Sequence, residues 1–164
     1  MKKIALISDT HYTLDVRFLD YFNKADEIWH AGDIGDLKII DELKKNSIIR
    51  AVHGNIDNYL IKAQFKSEIY FKCEEVSVLM THIGGYPGKY NKNIICKIEK
   101  FRPDLFICGH SHILKVMYDK KYKLLHMNPG ALGDYGQHKV KTLLYFIIDK
   151  KEIKELKVIE YPRN

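Results

Sequence analysis

The chain has 164 residues, 46% of them hydrophobic and 29% charged, a globular balance that excludes disorder over any long stretch. A single domain spanning residues 1–164 is expected, because domains commonly run to about 100–150 residues and a chain of this size needs no disulfide or structural metal to hold it together. The net charge of +6 would steer an anionic substrate, or is no more than a solvated lysine-rich surface.

Residues 3–8 are a short apolar run ending at Asp9 and predict a buried strand. Phe18, Leu19 and Phe22 predict a helix over 16–24, and residues 27–30 a second strand running into Gly32-Asp33. Leu37, Ile40 and Leu43 mark an amphipathic helix over 37–45, and residues 47–52 a third strand. This β-α-β-α-β order predicts a mostly parallel sheet flanked by helices. Beyond Asn58 the pattern changes. Strands are expected over 69–71 and 76–81, around Glu74-Glu75. A helix over 91–101 follows, stopped at Arg102-Pro103 because the residue before proline is disfavoured in helix. Residues 105–108, 115–118, 123–127, 142–149 and 152–159 predict five more strands, the last two joined as a hairpin at Lys150-Lys151. The element count favours two sheets over a single doubly wound one.

Cys73, Cys96 and Cys108 are odd in number and form no C-x-x-C pair, which fits reduced, buried thiols in the cytoplasm. Residues 4–7 are too short for a secretory h-region, and residues 143–148 too short for a membrane span. A soluble, cytoplasmic protein with no membrane partner is therefore expected.

The polar residues that follow these strands carry the chemistry. Asp9 and His11 follow the first strand, Asp33 the second and Asn55 the third. His82 follows 76–81, and His110 and His112 follow 105–108. Ligands in sheets of this kind bind beyond the carboxyl ends of strands. Carboxylate with imidazole suits manganese, iron, cobalt, nickel or zinc rather than calcium, and seven such residues suit two ions. Asp33 is the natural shared ligand, lying in chain order between Asp9/His11 and the later residues. Gly32, Gly54, Gly84 and Gly109 adjoin the positions, where glycine permits sharp turns and close approach to a bound anion. His30 and His126 lie inside apolar strands and read as structural. His53 and His138 are candidates for touching substrate, as is Gly84. Tyr86, Lys89 and Tyr90 form either a lid or a solvated loop.

Asp9-Thr10-His11, Gly32-Asp33-Ile34-Gly35-Asp36, Gly54-Asn55-Ile56-Asp57, Thr81-His82 and Gly109-His110-Ser111-His112 together resemble the calcineurin-like metallophosphoesterase superfamily. The short chain is similar to its small YfcE-like phosphodiesterase branch, as is Asn128-Pro129-Gly130. The resemblance implies a four-layer α/β/β/α sandwich of the α/β class. It implies two divalent transition-metal ions, manganese first, with Asp9, His11, Asp33 and His112 around one and Asp33, Asn55, His82 and His110 around the other. Asp36 would not be a direct ligand, and Asp57 would orient its neighbours. Where many superfamily members have a histidine after Gly-Asn, this chain has Ile56, which donates no proton. Leaving-group protonation then falls to water, His53, His138 or Lys89, a gap that a diester with a good leaving group tolerates best.

The implied reaction is hydrolysis of a small phosphodiester or other phosphorylated substrate by attack of a metal-bridging hydroxide. Asp33, Asn55, His82 and Asp57 are the expected catalytic group. A phosphomonoesterase, or a nuclease, could use the same site; for the latter an extra nucleic-acid domain would be expected and none is legible, while the positive charge keeps it open. A non-catalytic scaffold like that of the retromer coat is the alternative from another class, and it would have decayed ligands. Self-association into a homo-oligomer is a further expectation of the resemblance, with no interface legible.

Overall fold

The computed structural model describes residues 1–45 and 47–163. In chain order these hold β1 (Lys2–Ile7), α1 (Leu19–Lys24, entered through a 3-10 turn at Val16–Phe18), β2 (Glu27–His30), α2 (Leu37–Leu43) and β3 (Ile48–Ala51). Then come α3 (Tyr59–Gln64), β4 (Glu68–Cys73), β5 (Val76–Thr81), α4 (Lys92–Phe101), β6 (Leu105–Ile107), β7 (Leu114–Asp119), β8 (Leu124–Pro129), β9 (Val140–Asp149) and β10 (Glu152–Pro162).

The strands form two five-stranded sheets, ordered β10-β9-β1-β2-β3 and β4-β5-β6-β8-β7. β1, β2 and β3 are parallel, with β9 antiparallel to β1. In the second sheet β5, β6 and β8 are parallel, and β4 and β7 close the edges antiparallel. Alternation along each strand sends side chains to opposite faces. Ile4, Leu6 and Trp29 therefore meet Val78, Met80 and Ile107 in an apolar layer between the sheets. Ala5, Ile7 and Ile28 face the other way, onto Phe22, Ile40 and Leu43 of α1 and α2. Leu79 and Phe106 face Ile94 and Ile98 of α4. The layers run helix, sheet, sheet, helix, as the resemblance implies. Full burial of each such aliphatic side chain stabilises the fold by about 1.5–3 kcal/mol before entropy is counted.

Asp36, Asn58 and Asn91 cap α2, α3 and α4, each accepting from backbone N–H groups of the first turn. Arg102 ends α4 in the left-handed region, at φ 46°, immediately before Pro103. Helix α3 was not expected: it has six residues and buries only Ile61, too little to imprint a helical period. Two other expectations need correction. Cys96 is exposed rather than buried, because it lies off the apolar stripe of α4 formed by Ile94 and Ile98. Tyr90 belongs to neither a lid nor a solvated loop; it is buried against Phe106. Among the described residues no helix is long and apolar enough to cross a membrane.

Candidate metal centre

The loops leaving β1, β2, β3, β5 and β6 converge, laced by backbone hydrogen bonds between segments far apart in sequence. Asp9 N–H donates to the Gly32 carbonyl at 2.9 Å, His11 N–H to Asp33 at 3.1 Å and Gly109 N–H to His82 at 2.9 Å. The backbone there is unusual. Asp9, His11, Asp33, His110 and His112 all lie at positive φ, between 43° and 70°. Non-glycine residues rarely adopt this region, which costs on the order of 1–2 kcal/mol each. Five such positions in one cluster show that the tertiary structure holds these side chains against local preference.

Asp9, His11 and His112 bring one potential ligand atom each to within 4.8 Å of one another, and Asp33, His82 and His110 do the same. Nε2 of His112 lies 3.2 Å from Oδ1 of Asp9, and Nε2 of His82 lies 3.2 Å from Oδ1 of Asp33. Oδ2 of Asp33 faces the first group, 3.7 Å from Nε2 of His11. The two oxygens of Asp33 thus address different groups, the disposition a shared ligand requires. Nε2 of His11 and of His112 are 3.3 Å apart.

Several of these atoms have no other work. Oδ2 of Asp9 accepts the His110 N–H at 3.1 Å, but its Oδ1 is buried with no hydrogen-bond partner, as is Nε2 of His82. Buried polar atoms left unpaired are rare and costly. The donor set is also in the right form. Nδ1 of His82 lies 2.7 Å from the Ala31 carbonyl. A carbonyl only accepts, so Nδ1 carries the proton and Nε2 presents a lone pair, the usual orientation of a metal-bound imidazole. The residues present therefore fit divalent metals.

Electrostatics agree. Burial opposes charge on His82, but its contact with Asp33 and the field of Asp9 outweigh that and raise its pKa. Burial likewise opposes ionisation of Asp33, yet His82, the Ile56 N–H and His11 together lower its pKa. The pKa of His11 is lowered, chiefly by burial, against the pull of Asp9 and Asp33. A proton at Nε2 of His82 occupies the place a metal would take, so metal binding should release it.

A second layer holds the loops. Asp57 accepts the Gly35 N–H at 2.8 Å and the Gly54 N–H at 2.7 Å, clamping the turns after β2 and β3 together. His30 is fully buried; its Nδ1 accepts the Gly32 N–H at 3.2 Å and its Nε2 meets Thr10 Oγ1 at 2.9 Å. The Gly32 N–H can only donate, so Nε2 holds the proton and donates to Thr10, whose hydroxyl donates on to the Ile34 carbonyl at 2.9 Å. Burial keeps this imidazole neutral, with a pKa of about 4.

Gly54 and Gly109 permit the close approach: a Cβ at Gly54 would lie 2.0 Å from Asp33 Oδ1, and one at Gly109 2.0 Å from Ser8 Oγ and 2.9 Å from Asp9 Oδ2. Gly84 is tightly packed as well, since a Cβ there would lie 2.6 Å from Phe106. It is absent from the walls of both cavities beside the ligand set. The first, of about 220 Å³, is lined by His53, Asn55, Lys62, His82 and Ile83, among others. The second, of about 390 Å³, is lined by His110, Ser111, His112, Ile113, Gln137 and His138. Asn55 is exposed beside His82, and Asp36 caps α2 and is a member of neither ligand group. His53 directs Nδ1 at the Gly54 carbonyl, 3.2 Å away. Nε2 of His138 lies 3.0 Å from the Gly133 carbonyl and so carries the proton, leaving Nδ1, buried and unpartnered, as an acceptor. Burial lowers the pKa of His138 further from an acid's range.

Some neighbours were not legible in sequence. Lys62 reaches the first cavity from α3. Tyr135, 70% exposed, sets its ring 5.0 Å from that of His11. Neither has a local signal; only the loop packing brings them in.

The profile of the calcineurin-like phosphoesterase superfamily domain matches residues 1–151. Among curated proteins, the chain is similar to a probable metallophosphoesterase of Methanocaldococcus jannaschii, 29% identical over 78% of this chain and 67% of that protein. It is similar to another probable metallophosphoesterase, of Mycoplasma genitalium, at 26% identity over 98% and 96% of the two chains. Among solved structures, a Thermotoga maritima protein determined by solution NMR superposes with a TM-score of 0.74 at 26% identity, covering 97% of this chain and all (100%) of that one. Zinc-complexed Vps29 from Entamoeba histolytica superposes at 0.76, covering 99% of each chain; at 17% identity this likeness shows the fold alone.

Proposed function

The chain belongs to the calcineurin-like phosphoesterase superfamily, and we propose that it is a phosphodiesterase working with two divalent transition-metal ions. Asp9, His11, Asp33 and His112 would hold one ion, and Asp33, Asn55, His82 and His110 the other. The observation that carries this reading is Asp33, whose two oxygens face two separate ligand groups. When bound, such ions supply a water of lowered pKa and a positive clamp on phosphoryl oxygens. The chain's own contribution is placement. The Ile56 N–H holds Asp33 Oδ1 at 3.1 Å, the His110 N–H holds Asp9 Oδ2, and Asp57 keeps the turns in register. Fixed ligands need no reorganisation as charge develops on the phosphoryl group.

Two features favour a diester. Cavities adjoin the ligand set through Asn55 and His82 and through His110 and His112, offering room for the two substituents of phosphorus. Two positions beside the ligands offer no acid: Ile56 cannot donate, and His138, with its proton directed at the Gly133 carbonyl, presents a lone pair. A good leaving group lightens the demand for an acid, and manganese, which suits carboxylate ligands, is the first ion to try, with iron, nickel, cobalt and zinc as the alternatives that imidazole favours. A scaffold role would give no reason to hold five ligand-type residues in left-handed backbone. The test is hydrolysis by metal-stripped protein reloaded with manganese. Bis-p-nitrophenyl phosphate should turn over faster than the p-nitrophenyl monoester. Equal or reversed rates remove the diesterase preference, and inactivity with every divalent ion removes the enzyme reading.

A further inference from the structure

We propose that a pocket behind the His110–His112 loop is a specificity subsite for a second phosphate group on the substrate. The pocket, of about 190 Å³, is lined by Tyr86, Ser111, Ile113, Lys115, His126 and Asn128. Ser111 and Ile113 also line the cavity at His110 and His112, so one loop forms a wall of both spaces.

Three groups there can address an oxyanion. His126 is fully buried, its Nδ1 lies 3.3 Å from the Tyr90 hydroxyl, and its Nε2 has no partner. The Tyr90 hydroxyl has both His126 Nδ1 and the Asp119 carboxylate within reach; when it donates to Nδ1, Nε2 bears the proton, the form that an oxyanion in the pocket would select. Lys115 rests over the Tyr86 ring, 5.1 Å from its centroid. Among the described residues no carboxylate pairs with it, unlike Lys97, Lys141 and Lys154. Ser111 Oγ accepts from Asn128 Nδ2 at 3.1 Å and from the Ile113 N–H at 3.3 Å, leaving its own proton free to donate. Asn128 is spent on holding the loop, with Nδ2 also donating to the Gly109 carbonyl at 2.9 Å. The nearby acid, Asp119, accepts the backbone N–H groups of Lys121 and Tyr122 and acts on Tyr90 and His126, its field favouring a proton on the imidazole, but it is not in the wall. A cation and two neutral groups able to donate, with no carboxylate among the lining residues, suit a phosphate better than an amine or an apolar group.

The inference rests on the phosphodiesterase reading for the word substrate; the pocket's affinity for phosphate does not. Metal-free protein is titrated with inorganic phosphate while the His126 ring nitrogens are followed by NMR. A saturable shift of His126 that is lost in Lys115→Ala and in Lys115→Met is expected. No shift, or one that persists in both variants, overturns the proposal whether or not the protein hydrolyses diesters. With manganese, 5′-phosphorylated dithymidine should exceed unphosphorylated dithymidine in kcat/KM by about tenfold, the scale of one or two charge-assisted hydrogen bonds. Lys115→Ala should bring that ratio close to one. An unchanged ratio in the variant also overturns the subsite. Inactivity on both dinucleotides and on bis-p-nitrophenyl phosphate would strike the catalytic reading instead.

Discussion

Nε2 of His112 stands 3.2 Å from Oδ1 of Asp9, a carboxylate oxygen that is buried and receives no hydrogen bond. The two residues come from opposite sheets, and each is in left-handed backbone. A cation bound between them would satisfy Asp9 Oδ1 and give the two strained loops a reason to meet.

Metal should therefore stabilise the protein. At a free concentration about a hundred times its Kd, an ion adds about 2.7 kcal/mol, or roughly 5–10 °C in Tm for a chain of this size. Thermal scans of chelated and manganese-loaded protein check this; superimposed scans would mean that the cluster does not bind.

Asp33→Asn should be the most damaging single ligand change. It weakens attachment to both groups, so bound metal should fall from two ions towards one or none and activity should drop at least about 100-fold, beyond the loss typical of a mere supporting residue. Elemental analysis alongside kinetics decides it. Two ions retained with wild-type turnover would show that Asp33 is not shared.

Gly54→Ala should mimic that variant without touching a ligand. Its Cβ would fall 2.0 Å from Asp33 Oδ1 and 2.4 Å from Asp33 N, so the carboxylate must move. Overpacking of this kind costs about 1–3 kcal/mol. Metal affinity measured by calorimetry should fall along with stability. An unaltered affinity would show that Asp33 can relax.

Asp57→Ala removes the side chain that clamps Gly35 to Gly54, leaving two backbone N–H groups without their acceptor. A loss of about 1–3 kcal/mol in stability and about 10–100-fold in kcat/KM is expected. Its manganese dependence should shift to higher concentration. A change in stability alone would limit Asp57 to folding.

Acid should destabilise the protein between about pH 6.5 and 4. His30 and His126 both have folded pKa values of about 4, caused first by burial, against 6.5 for the free side chain. The unfolded chain takes up protons first, so their contribution is complete above pH 6.5 and is lost as pH falls towards 4. In metal-free protein His82 acts oppositely: its raised pKa favours the fold at low pH, and that contribution fades as pH rises through the folded value. Urea midpoints across this range, with His126→Asn for comparison, should show a shallower slope in the variant.

The sequence alone determined where the ligand-type residues fall and in what order. Asp9, Asp33, Asn55, His82 and His110 each follow a short apolar run, and an apolar run ending in a turn is a local pattern that burial imposes on a strand. The same locality explains the miss at α3, whose single buried residue, Ile61, leaves no period to detect. It also explains why the local pattern groups Tyr90 with its loop, although its ring belongs to the core under α4. Only the tertiary structure decided how the residues share out. The two oxygens of Asp33 facing different groups, the lone pair left on His82 by the Ala31 carbonyl, and the left-handed turns at Asp9 and His112 all depend on loops from separate sheets bonding to one another. Such contacts join residues as far apart as Asp9 and His110, and no window of neighbouring residues encodes them.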